Sequence, residues 1–355
     1  MISTPEYVQA IQPYVPGKPT EELERELGIK NSIKLASNEN PLGPSPAALS
    51  AIRNSFSDLN RYPDGSGFYL KQALSGMLDA SEEELVLGNG SNQLLNIAVS
   101  TFMQDGDEAV MATPSFVVYS MAVQSVGGRS IQVPLKNYTH DLSVMADAIT
   151  PRTKMIFIAN PNNPTGTINK KDEFDKMMEK IPDNILVIAD EAYYEYVSDP
   201  DYADSMKYLR SEKNILILRT FSKIYGLAGL RLGYGIAKKE IISEMNKLRE
   251  PFNTNSIAQK AGLAALKDKE HVNRSINANN GGKKFLYFQL DSLGIKYVPT
   301  EANFIYILVE DSTSVYESLL RMGVIIRPMG PKAIRVTIGL PEENRRFIDS
   351  LRKIH

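Results

Sequence analysis

The sequence predicts an α/β fold, with a large domain on a mostly parallel, seven-stranded sheet and a smaller α+β domain after it. Three observations lead there. Between about residues 46 and 267, short apolar runs alternate with helical patterns, as in strand–helix–strand units. The runs at 155–158 and 185–188 are apolar at every position, the pattern of strands covered on both faces. After Asp268 the alternation gives way to long helices around three strand patterns.

The elements follow in order. Pro5, Pro13, Pro16 and Pro19 predict an irregular arm, after which Thr20 caps a short acidic helix over 21–27 that Gly28 stops. The segment 37–44, Ser-Asn-Glu-Asn-Pro-Leu-Gly-Pro, holds too many breakers for a regular element, and its polarity suits burial only if it lines something. Helices are expected at 46–56, 67–79, 91–103, 116–126, 170–180, 239–250 and 255–267. Between them fall strands at 85–88, 109–112, 130–133, 155–159, 185–189, 215–219 and 233–237. A helix over 270–292, ended by Gly294, then leads to strands at 304–309, 324–327 and 334–338 with helices at 312–322 and 341–353. The expected division is an arm with a segment joining the small domain (1–45), a large domain (46–268) and a small domain (269–355).

Composition excludes several classes of function. The 40 basic and 42 acidic side chains leave a formal charge of −2, so nothing calls for nucleic acid or an anionic membrane. No apolar run approaches the roughly 18 residues of a membrane helix, and the first residues lack a leader pattern, so a cytoplasmic protein is expected. With no cysteine and only His140, His271 and His355, widely spaced, neither a metal site nor a Ser-His-Asp hydrolase is expected. The chemistry must rest on Lys, Tyr, Asp, Asn, Arg or a borrowed cofactor.

In a doubly wound sheet, ligands sit beyond the carboxyl ends of the strands. Three of those ends carry complementary groups. The run 155–159 leads into Asn160-Pro161-Asn162-Asn163-Pro164-Thr165-Gly166, 185–189 into Asp190-Glu191-Ala192-Tyr193, and 215–219 into Thr220-Phe221-Ser222-Lys223 with Arg231 shortly after. Taken singly, each has a plain reading as a turn former or a surface charge. Taken together, an amide, a carboxylate with a phenol, and an amine with a guanidinium suit an aromatic cofactor bearing an aldehyde, a ring nitrogen, a phenolic oxygen and a phosphate. Pyridoxal 5′-phosphate is such a molecule. Lys223 would bond covalently to the aldehyde, Asp190 would keep the ring nitrogen protonated, and Asn163 with Tyr193 would hydrogen-bond the phenolic oxygen. The turn 88–92, containing Gly90, Ser91 and Asn92, offers a helix start for the phosphate. Thr220, Ser222 and Arg231 would add hydroxyls and a charge there, and Phe116 would stack on the ring.

These segments resemble the fold-type I pyridoxal-phosphate-dependent aminotransferases, and the likeness covers nearly the whole chain. Tyr14 and its neighbours at 13–19, the segments 35–43 and 60–65, and the late segments 251–255, 327–329 and 335–339 are similar to the histidinol-phosphate branch of that family. The resemblance implies the same roles for the strand-end residues. It further implies that Tyr62 reaches the phosphate of the other subunit in a homodimer, and that Arg335 clamps a substrate α-carboxylate. Arg327, Tyr14 and Asn40 are then candidates around the substrate's distal phosphate and side chain. Asn92-Gln93 stands where the family more often has an acidic pair, and Phe116 where it often has tyrosine.

The activity implied is amino-group exchange between L-histidinol phosphate and 2-oxoglutarate, giving imidazole-acetol phosphate and L-glutamate in histidine biosynthesis. Within the fold type, an aromatic amino-acid aminotransferase and a threonine-phosphate decarboxylase are the competing readings. A nicotinamide dehydrogenase shares the α/β pattern, but residues 88–92 lack the Gly-x-Gly-x-x-Gly spacing it needs. A non-catalytic binding protein would leave Lys223 unmodified.

Overall fold

A computed structural model describes residues 2–211 and 213–354; Met1 and His355, the outer bounds of the expected division, lie outside the described residues. Its strands, in chain order, are β1 (Ile33–Lys34), β2 (Leu85–Asn89), β3 (Glu108–Thr113), β4 (Arg129–Pro134), β5 (Thr153–Ala159), β6 (Leu186–Asp190) and β7 (Asn214–Thr220). They continue with β8 (Leu232–Ile236), β9 (Tyr297–Val298), β10 (Phe304–Leu308), β11 (Val324–Ile325), β12 (Arg327–Pro328) and β13 (Ala333–Thr337).

The fully apolar runs fold as the middle of the large sheet, in the order β2-β8-β7-β6-β5-β3-β4. Alternate side chains of one strand enter different cores. Ile156, Ile158, Val187, Ile215 and Ile217 pack on one face, and Met155, Phe157, Leu186, Ile188, Leu216 and Leu218 on the other. Helices cover both faces, which is why no position in these runs tolerates a polar residue. All neighbouring strands are parallel except around β8, which runs antiparallel to both β2 and β7.

Four of the six remaining strands build an antiparallel sheet, β12-β13-β10-β9. Its core is separate and includes Leu286, Ile305, Ile307, Val336 and Phe347. The chain's beginning is stitched to this smaller unit. β1 pairs in parallel with β11, and Leu35 exchanges backbone hydrogen bonds with Ile325 and Thr337.

Some elements depart from the sequence pattern. The strand expected over 324–327 is split, its first half pairing with β1 and its second with β13. Pro328, with no N–H to give, ends the second half. Short helices at Glu6–Gln9 and Leu142–Asp147 show too few turns for a periodic signal, although Asp141 caps the second through Val144 N. Among the described residues, no helix is long and apolar enough to cross a membrane, and no group of His, Cys, Asp and Glu is placed to hold a metal ion.

Candidate active site

Because β5, β6 and β7 are parallel neighbours, their carboxyl ends share one edge of the sheet. The reversed β8 brings its amino end to that edge, and with it Arg231. The loops there enclose a cavity of about 300 Å³. Its walls include Tyr14, Ser91, Asn92, Phe116, Asn163, Asp190, Tyr193, Thr220, Ser222, Lys223, Arg231, Arg327 and Arg335, so most of the residues expected from the sequence meet in one place.

One end of the cavity suits an anion. The helix Ser91–Phe102 begins there behind Gly90, so the N–H groups of Ser91 and Asn92 come before any carbonyl of the helix that could accept them, whereas Gln93 N already donates to the Gly90 carbonyl at 3.2 Å. The Arg231 guanidinium donates to Ser222 Oγ at 3.3 Å and to the Ala228 carbonyl at 3.1 Å. Two glycines keep these parts in close contact. A Cβ on Gly90 would stand 2.5 Å from an Arg231 nitrogen, and one on Gly233 would stand 2.3 Å from Ser91 N. Gly90 thus shapes the turn without itself lining the cavity.

Asp190 ends β6 almost fully buried. Its Oδ2 accepts from the Tyr119 hydroxyl at 2.7 Å and its Oδ1 from Ala192 N at 3.1 Å. Burial pushes this carboxyl above its ordinary range, against the pull of those two bonds and of Lys223. Beneath it, a buried ion pair joins Glu191 to Arg219 at 2.8 Å, and the Arg219 guanidinium lies 3.8 Å from the Tyr194 ring centre. These contacts hold the strand end firmly.

The Lys223 amine donates to the Ser37 carbonyl at 3.1 Å and lies 5.6 Å from the Tyr193 ring centre. Burial, reinforced by the charges of Arg335 and Arg231, lowers its pKa from the usual 10.5 to about 8. Tyr193 is buried and accepts a hydrogen bond from Asn38 Nδ2 at 2.9 Å. Arg335, on β13, donates to Asn163 Oδ1 at 2.6 Å and to the Ala36 carbonyl at 2.7 Å, while its Nε has no partner among the described residues. Arg327 donates to the Val15 carbonyl at 2.8 Å, and its guanidinium lies 5.5 Å from the Tyr14 ring centre, so the arm rests against the cavity mouth.

Two expected residues stand elsewhere. Asn40 does not line the cavity: its amide donates to the Ile224 carbonyl and to Ser275 Oγ, tying its loop to the helix Lys269–Ser292. Tyr62 is 82% exposed and stacks on Phe252 at 4.7 Å, away from the cavity of its own chain. Conversely, Asn38, Glu39 and Tyr119 line the cavity without having been singled out. The polarity of 37–44 hinted at the first two. Tyr119 follows Phe116 by three residues: Phe116 stands just before the helix Val118–Ser125, its carbonyl accepts from Tyr119 N at 3.1 Å, and the two rings lie 5.5 Å apart, so a Phe116 directed at the site brings Tyr119 with it.

These groups fit pyridoxal phosphate. A buried carboxyl raised by desolvation gains from a cationic ring nitrogen, a depressed lysine is ready to attack an aldehyde, and a helix start with arginine and hydroxyl donors receives a phosphate.

Comparison with known proteins agrees. The family described as aminotransferase class I and II matches residues 30–351. A histidinol-phosphate aminotransferase of Moorella thermoacetica is 51% identical, over 98% of this chain and 92% of the relative. One from Caldicellulosiruptor saccharolyticus is 44% identical, over 98% and 99%. The crystal structure of histidinol-phosphate aminotransferase from Sinorhizobium meliloti in complex with pyridoxal 5′-phosphate superposes with a TM-score of 0.90 at 26% identity, covering 99% of this chain and 98% of that one. On sequence and architecture alike, this chain belongs to the class I and II aminotransferases, among relatives that carry the histidinol-phosphate aminotransferase name.

Proposed function

We propose that the chain is a pyridoxal-phosphate-dependent aminotransferase that exchanges an amino group between L-histidinol phosphate and 2-oxoglutarate. The products are imidazole-acetol phosphate and L-glutamate. The 51% identity to a histidinol-phosphate aminotransferase over 98% of the chain carries this reading. The cavity supports it, since an amine of low pKa, a buried carboxyl and an anion seat line it together.

When bound, the cofactor supplies an electrophilic carbon and a ring that takes up the electron pair left by a departing α-proton. The other roles fall to the chain. Lys223 Nζ would hold the cofactor covalently until the substrate amine displaces it; the freed amine would then carry the proton from the substrate α-carbon to the cofactor carbon that had borne the linkage, and back in the opposite direction when 2-oxoglutarate takes up the amino group. Asp190 fixes the positive charge of the ring nitrogen, while Asn163 and Tyr193 hold the phenolic oxygen. Ser91, Asn92, Thr220, Ser222 and Arg231 seat the phosphate, and Phe116 closes one ring face.

Histidinol phosphate brings a phosphate and no α-carboxylate, whereas glutamate brings two carboxylates. Arg335 and Arg327 therefore serve both, Arg335 with a forked guanidinium suited to either anion. Tyr14 covers the substrate side chain from the arm. We assign the enzyme to the cytoplasm, in histidine biosynthesis, as a homodimer. Tyr62 then reaches the partner's phosphate seat. Its exposure, and that of Phe56, Leu59, Phe68 and Tyr69 nearby, supports a covered face there.

Anaerobic titration of the purified holoenzyme with L-histidinol phosphate, followed by absorbance, tests the substrate. Complete conversion to the aminated cofactor, at lower concentration than L-phenylalanine needs, is expected. Preference for phenylalanine would favour the aromatic alternative, and carbon dioxide released from threonine phosphate would favour the decarboxylase.

A further inference from the structure

Asn38 lies in the breaker-rich segment with φ 56°, in the left-handed region that asparagine tolerates better than most residues. It is 1% exposed, and the smaller sheet grips it. Its backbone N–H donates to Thr337 Oγ1 at 2.9 Å, the Thr337 hydroxyl donates back to Asn38 Oδ1 at 3.2 Å, and Asn303 Nδ2 donates to the Asn38 carbonyl at 3.0 Å. With Oδ1 committed to Thr337, only Nδ2 is left to face Tyr193, at 2.9 Å. Turning the amide over would leave the buried Thr337 hydroxyl hydrogen without an acceptor, a costly arrangement.

The direction of this relay has a chemical consequence. A phenol oxygen that already accepts from an amide directs its own proton elsewhere. Among the described residues, no acceptor for the Tyr193 proton is present, and Tyr193 lines the cavity. We propose that Asn38 is a positioning residue for the reaction: held by Thr337, it donates to the Tyr193 oxygen and so commits the Tyr193 proton to the phenolic oxygen of the cofactor. This rests on the reading of Tyr193 as a cofactor contact. Asn38 acts through Tyr193 alone.

A donor to the phenolic oxygen stabilises its negative form and so eases loss of the neighbouring proton at the Lys223 linkage. Weakening that donor therefore raises the pH midpoint of the holoenzyme's visible absorbance. Asn38→Gly deletes the amide at a backbone conformation that glycine adopts freely. It is expected to raise the midpoint by about half a unit, the size of one weakened hydrogen bond. Tyr193→Phe raises it further, and adding Asn38→Gly to Tyr193→Phe gives no additional shift. Thr337→Val, which frees the amide to turn, raises the midpoint in an otherwise native chain, while Thr337→Ser leaves it in place. If Tyr193→Phe leaves the midpoint unmoved, the placement of Tyr193 fails and this inference falls with it. If Tyr193→Phe shifts it but Asn38→Gly and Thr337→Val do not, or if Asn38→Gly shifts it equally in both backgrounds, the role of Asn38 alone is overturned.

Discussion

The Lys223 amine offers the most direct measurement. Its surroundings lower its pKa to about 8, from an ordinary 10.5. At pH 7 an amine titrating near 8 is about one-tenth neutral, against about 0.03% for an ordinary lysine, so roughly 300-fold more of it is ready to attack. The perturbation is pH itself. Cofactor-free protein mixed with pyridoxal phosphate in a stopped-flow instrument should gain visible absorbance at a rate that climbs about tenfold per pH unit below 8 and levels off above it. Borohydride trapping and peptide mapping should then place the label on Lys223. Arg335→Gln, which removes a neighbouring positive charge, should move the break upward. A rate still climbing tenfold per unit at pH 9.5, or a label on another lysine, would refute the reasoning. The same shift bears on folding. The unfolded chain holds the Lys223 proton more tightly between pH 8 and 10.5, so the stability cost of burying this lysine is full below 8 and fades as pH rises through that window.

Other substitutions test the remaining walls of the cavity. Asp190→Asn should cut turnover about a thousandfold while the cofactor stays bound, because the anion seat is untouched; near-native turnover would remove Asp190 from the mechanism. Gly233→Ala forces a Cβ to within 2.3 Å of Ser91 N and 2.7 Å of Gly90 C, both backbone atoms with nowhere to go. An overpacking cost of about 1–3 kcal/mol should appear as cofactor affinity weakened some 10- to 100-fold in equilibrium dialysis. Arg335→Lys keeps the charge but not the fork that now spans Asn163 and Ala36. The KM for 2-oxoglutarate should rise about tenfold or more, and an unchanged KM would exclude Arg335 as the carboxylate clamp.

The central strands of the large sheet and the residues at their ends were legible because one rule governs both. A run buried on both faces is apolar over its middle, so the polar groups that follow it mark the rim where a ligand is reached. Asp190 and Lys223 stood out for that reason. What no periodicity encodes is which way a strand runs, so the reversal of β8 was not legible. The partners of the site residues were hidden for a similar reason. Tyr119 looks like one more apolar residue on a buried helix face, yet its hydroxyl bonds Asp190. Asn38 and Asn40 are indistinguishable in a polar turn. Only the fold aims the first at Tyr193 and the second at Ile224 and Ser275.

The reversal of β8 also governs spacing. A parallel successor to β7 would have required a long crossover, whereas the antiparallel one leaves a short bight of chain, 221–231, with Lys223 near one foot and Arg231 at the other. The bight is cinched by bonds from Phe221 N to Leu232 O, Leu227 N to Phe221 O and Gly226 N to Lys223 O. It is wedged at Gly226, where a Cβ would lie 2.2 Å from Gly43 O. The interval between amine and guanidinium is thereby set like a fixed calliper. On the proposed roles of Lys223 and Arg231, a molecule whose aldehyde and phosphate are spaced differently is expected to fit this loop poorly whatever its other contacts.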